Sequence, residues 1–221
     1  MILRSIAYFF SVVFHPLLVV TYMLLILLLV DPYLFRANSV QGGMRNILMV
    51  FSSTFFIPIV AVLMMKALKF IPSLELRNAQ DRIGPYVVTG VFYLSTYYLV
   101  YKDPNMPVAF KACFLGAVIA LFIAFFINLF SKISLHGIGM GGLLGMVIIT
   151  MTRARLPSFH INTSIFGMIE VSLFNLLIMT IFFCGIVGTS RLILDAHKPK
   201  DLYGGFLVGF ATQFIALFLL T

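Results

Sequence analysis

An all-α, polytopic transmembrane helix bundle of about six or seven spans is predicted by three observations. The chain is 62% hydrophobic and only 10% charged, with a mean hydropathy of +1.10. Its apolar residues fall into successive runs of roughly 16–25, and about 20 suffice to cross a bilayer core as a helix. Polar residues collect in the short connections between those runs. In chain order the runs place spans near residues 6–30, 46–66, 85–101, 108–130, 137–152, 164–188 and 202–220, in one domain covering 1–221. The fifth run is short and rich in glycine. In the first, His15-Pro16 marks a helix start or kink, because Pro lacks the N–H that a continuing helix needs. It either bends one span or separates an interfacial helix from a span that starts at Pro16. No small-residue cleavage site follows this run, so it reads as a retained span.

Composition narrows the partners. A net charge of +8 fits cytoplasmic cations that set topology, an anionic substrate, or anionic lipid headgroups. The cations are scattered over short loops without interleaved aromatics, which argues against nucleic acid. Cys113 and Cys184 both lie in apolar runs and read as small apolar fillers, so neither a disulfide framework nor a metal site is expected.

Three connections carry clustered cations and histidines: Lys69 to Arg82, Lys132 to His136, and Ser190 to Asp201. Two crossings separate each cluster from the next, and an even number of crossings returns the chain to the same face. All three clusters therefore share one side with the N-terminus. Nine of the fifteen Lys and Arg lie on that side and six lie opposite. Setting aside Arg77, Arg82 and Arg191 as ligand candidates leaves six against six, so the positive-inside rule gives no orientation.

The third cluster has the parts of a phosphoryl-transfer site. Arg191 can grip phosphoryl oxygens through paired hydrogen bonds. His197 can attack phosphorus, and Asp201, one helical turn on, can accept from Nδ1 and leave Nε2 free. Ser190 adds a hydroxyl. A second histidine would protonate the leaving oxygen, and His136 on the same face is the candidate. Ser134 can donate to the phosphate, while Arg82 and Arg77 supply further positive charge. This chemistry calls for no cofactor, and the chain has too few carboxylates for a two-metal site.

At these residues the chain resembles the type 2 phosphatidic acid phosphatase superfamily, in its membrane lipid phosphatase branch. Ser190-Arg191, five residues, His197, three residues, Asp201 matches the third signature of that family in full. The second, P-S-G-H, reads here Ile133-Ser134-Leu135-His136, which keeps Ser and His but neither Pro nor Gly. The first, K-x6-R-P, is more degenerate: Glu75 replaces Lys seven residues before Arg82, and Pro85 comes two residues late. Lys69 or Arg77 would stand in for the missing Lys. The resemblance covers about residues 69–205. It implies a phosphohistidine on His197 partnered by Asp201, His136 as general acid, and Arg191, Ser134 and Arg82 as phosphate ligands. It also implies a lipid phosphate or polyprenyl diphosphate substrate, and a site on the periplasmic face of a bacterial inner membrane.

Other polar residues have plainer readings. Lys132 reads as a snorkelling anchor, His160 as a loop residue on the opposite face, and Gly137 to Gly145 as a helix-packing seam. Glu170 falls roughly two turns inside an expected span, where an ionisable group is costly. It is expected to pair with Asn128, Asn175 or a neighbouring helix. The leading expectation is thus a membrane phosphatase. Its rival is a degenerate relative that binds anionic lipid or serves as a subunit of a membrane complex.

Overall fold

A computed structural model describes residues 2–74, 76, 78–154, 156–163 and 167–221, without the side chains of residues 162 and 163. Among the described residues, seven helical stretches are long and apolar enough to cross a membrane: Ile2–Val30, Gln41–Ala67, Ala79–Lys102, Val108–Phe130, Leu135–Arg153, Leu173–Ile193 and Pro199–Leu220. The chain is thus an all-α polytopic bundle, with the character of an integral membrane protein. One element departs from the expectation. The segment before the sixth span is an antiparallel hairpin, β1 (Ser158–Thr163) with β2 (Gly167–Ser172).

That hairpin corrects three expectations. The sixth span starts at Leu173 rather than 164, because the apolar residues of β2 pair their backbone with β1 instead of entering a helix. Glu170 consequently lies outside the span, on an exposed strand, where it accepts from the Ser158 hydroxyl at 2.5 Å. His160 lies opposite it in the register, within a strand rather than a loop.

The first span is a single run broken in the middle. Helix α1 (Ile2–Val13) descends antiparallel to the sixth-span helix, from Arg4 paired with Asp195 to Phe14 stacked on Phe183. After a short 3-10 turn at Pro16–Leu18, α2 (Val19–Val30) continues inward. The break therefore lies inside the bundle, and α1 is not a separate interfacial helix. The second span comprises α3 (Met44–Phe51), a π-helical turn at Ser52–Phe56, and α4 (Ile57–Ala67). Pro58 leaves the carbonyl one turn behind it without a donor, and the π turn re-pairs Ile57 N–H with Ser52 O. The remaining spans are α5 (Ala79–Lys102), α6 (Val108–Phe130), α7 (Leu135–Arg153), α8 (Leu173–Ile193) and α9 (Pro199–Leu220).

At the centre α7 lies against α9 with the backbones touching. A Cβ on Gly209 would strike the carbonyl oxygen of Ile138, and one on Gly141 the carbonyl of Phe206. On Gly137 it would come within 2.8 Å of the Leu202 carbonyl. Between helices in lipid, where apolar burial supplies little, such close approach lets dispersion and weak hydrogen bonds hold the pair. Met23, Leu24 and Leu28 of α2, Phe110 and Phe114 of α6, and Met140 and Met146 of α7 fill the adjoining core. The glycine seam has a consequence for chemistry. It presses the start of α7, with His136, against the start of α9, where Ser134 N–H donates to Asp201 O at 3.1 Å.

Candidate functional site

Helix α8 ends where its last turn closes on itself. Asp195 takes a left-handed conformation, φ 52°, which Asp tolerates better than most residues. Asp195 N–H then bonds Leu192 O and Ala196 N–H bonds Arg191 O, the paired closure that caps helix C-termini. The chain thereby doubles back and carries His197 over Arg191. Lys132 Nζ donates to Ala196 O at 2.8 Å, so this lysine clamps the second cluster to the third rather than serving only as an anchor. Arg82, in the first turn of α5, is held by Leu76 O at 2.7 Å and by Asn128 Oδ1 at 3.0 Å. Asn128, 2% exposed, in turn donates to Ala79 O.

These elements enclose one cavity of about 1210 Å³. Its mouth is lined by Arg82, Lys132, His136, Arg191 and His197, drawn from all three clusters. The rest of the lining is largely apolar and includes Val20, Met23, Ala117 and Ala120, together with Gln213. On α9 the lining residues are Gly209 and Gln213, one helical turn apart.

Not every expected residue faces this space. Ser134 is fully buried and caps α7, accepting from Gly137 N–H at 3.2 Å. Ser190 is also buried, and its hydroxyl donates back to Ile186 O at 2.8 Å. Neither lines the cavity, because each side chain satisfies its own helix. Asp201 sits behind His197, with its Oδ2 3.9 Å from Nδ1. Arg77 lies outside the described residues.

Two polar atoms at the mouth are buried without a hydrogen-bond partner, Arg191 Nε and His197 Nδ1. Such groups are costly unless something completes them. Burial, and then the nearby Arg191 and Lys132, push the His197 pKa down to about 4, with Asp201 opposing. Its imidazole is therefore neutral at pH 7 and can act as a nucleophile. The positive charge beside it suits a phosphoryl group or another anion. Among the described residues, no group of three or more His, Cys, Asp or Glu side chains is placed to hold a metal ion.

Two cavity residues escaped the sequence reading, Ser11 and His15. The hydroxyl of Ser11 is buried and without a partner. The His15 ring meets that of His136 edge-on, with centroids 6.0 Å apart. Only the His-Pro break hinted at either. No family model, curated protein or solved structure matches this chain.

Proposed function

We propose that the chain is an integral-membrane phosphatase. It removes phosphate from a lipid or polyprenyl phosphate or diphosphate through a phosphohistidine on His197. One observation carries this reading: Arg82, His136, Arg191 and His197 line the same cavity, whose remaining lining is largely apolar. A charged mouth over an apolar shaft matches an amphiphile with a phosphorylated head. The neutral His197 attacks phosphorus while Arg191 and Arg82 neutralise the equatorial oxygens, and His136 protonates the leaving oxygen. Water then attacks the phosphohistidine, with His136 taking its proton. By its resemblance to the lipid phosphatases, the site faces the periplasm of a bacterial inner membrane.

A second reading draws on Ser190 and Asp201. With the Ser190 hydroxyl turned back and Asp201 beyond hydrogen-bond reach of His197, the pocket would bind an anionic lipid without turnover. Phosphate release from purified protein separates the two. The panel comprises phosphatidate, a polyprenyl diphosphate and a water-soluble phosphate monoester, with His197→Ala as control. Release that the control abolishes supports the phosphatase. Binding without release from any of them supports the lipid-binding protein.

A further inference from the structure

Pro16 determines where the carbonyls of α1 point. In an unbroken helix the residue-16 amide would donate to Val12 O and the His15 amide to Ser11 O. Pro16 has no N–H, and His15 N–H turns to Val12 O instead, at 3.2 Å. Ser11 O is thereby released from its helix. It meets Nε2 of His136 at 2.9 Å. The other freed groups are also satisfied: the Tyr22 hydroxyl donates to Val13 O at 2.6 Å, and Leu17 N–H donates to His15 Nδ1 at 3.3 Å.

A carbonyl oxygen can only accept, so the His136–Ser11 bond requires a proton on Nε2. That requirement holds whether the ring is neutral or charged, and it leaves Nδ1 as the nitrogen that can gain or lose a proton. Among the described residues His136 has no other hydrogen bond. We propose that the Pro16 break makes the Ser11 carbonyl a positioning group, locking His136 as the Nε2–H tautomer so that its acid–base work is done through Nδ1. The proposal rests on the phosphatase reading for the reaction, but not for the tautomer. In the first half-reaction Nδ1 takes the acidic proton of the bound phosphate ester and passes it to the leaving oxygen as the phosphorus–oxygen bond breaks, which restores the neutral Nε2–H form. In the second, Nδ1 takes a proton from the water that attacks the phosphohistidine and hands it to the departing phosphate. Nε2 keeps its proton and donates it in a hydrogen bond to Ser11 O throughout, so one carbonyl serves both steps. The roles resemble those of a carboxylate that holds a catalytic histidine, supplied here by a helix break.

The experiment is ¹⁵N NMR of histidine-labelled protein at pH 7.5, with the His136 signals assigned by their loss in His136→Asn. Expected is an unprotonated Nδ1 and a protonated Nε2 in the wild type. Pro16→Ala returns an amide to residue 16 and lets His15 N–H reclaim Ser11 O. It should give mixed tautomers at His136 and, if turnover occurs, roughly 100-fold lower kcat with KM within about threefold. A wild-type Nδ1–H tautomer overturns the proposal, as does a folded Pro16→Ala protein with an unchanged tautomer. Because the wild-type spectrum needs no turnover, failure of the phosphatase reading and failure of this one are distinguishable.

Discussion

His197 Nδ1 and Asp201 Oδ2 stand 3.9 Å apart, with side chains only 11% and 5% exposed. That distance is too long for a hydrogen bond. The same Oδ2 accepts from Lys198 N–H at 3.1 Å, closing the first turn of α9. Asp201 therefore combines a helix cap with a negative charge set close behind the imidazole.

Asp201→Asn separates these roles. The amide oxygen still accepts from Lys198 N–H, so the melting temperature should change by no more than about 0.5 kcal/mol of stability implies. The lost charge no longer favours imidazolium, and the His197 pKa falls further below about 4. The negative charge behind the ring is then gone, and turnover should drop roughly 100-fold. Phosphate release beside thermal unfolding in detergent checks both arms. Wild-type turnover in the variant would remove Asp201 from the mechanism.

The pH dependence of stability follows from His197. Its pKa is about 4 when folded, against the ordinary 6.5. Between those values the unfolded chain holds the extra proton, so stability rises with pH across this window. The contribution is complete above about 6.5 and is lost as the pH falls toward 4. Melting temperatures of wild type and His197→Gln, compared from pH 4 to 8, isolate this residue. The variant should show the shallower slope between pH 4 and 6.5, and equal slopes would contradict the assignment.

The glycine seam gives a sharper steric test. A Cβ on Gly209 meets the Ile138 carbonyl, a backbone atom that cannot rotate away, whereas one on Gly204 meets nothing within 4 Å. Gly209→Ala should cost about 1–3 kcal/mol by overpacking and move His136 away from His197. Gly204→Ala should be neutral or slightly stabilising, since Ala is the better helix former. Unfolding midpoints and phosphate release should fall together for the first variant and hold for the second.

How far the sequence was legible depended on the range of the interaction. Helical spans follow from run length, and parity places His136 and His197 on one face, where both line one cavity. The hairpin did not follow: Met168, Ile169 and Val171 continue the apolar run of α8 in the sequence, and only strand pairing separates them. Glu170 was misplaced for that reason. Ser11 as a partner of His136 was out of reach, because its carbonyl, freed locally at Pro16, meets that ring only through a tertiary contact across 125 residues. Ser190 sits in the intact signature yet turns back on its helix. Spacing sets where a side chain starts, and the local backbone sets where its proton goes.

Arg191 tests whether the mouth recognises phosphoryl geometry or merely charge. Its Nε is buried without a partner, and its fork can meet two oxygens at once, which an ammonium cannot. Arg191→Lys preserves charge and loses the fork. If the site grips a phosphoryl group, kcat/KM should fall roughly 100-fold with folding intact, and Arg191→Ala should add about another tenfold. If the cavity only gathers anions, Lys should serve almost as well as Arg, and binding of a lipid phosphate should weaken less than threefold. Steady-state kinetics on lipid phosphate in mixed micelles, with binding of the same lipid to His197→Ala, would distinguish the two. The ratio of the Lys to the Ala effect measures how much of the recognition is directional.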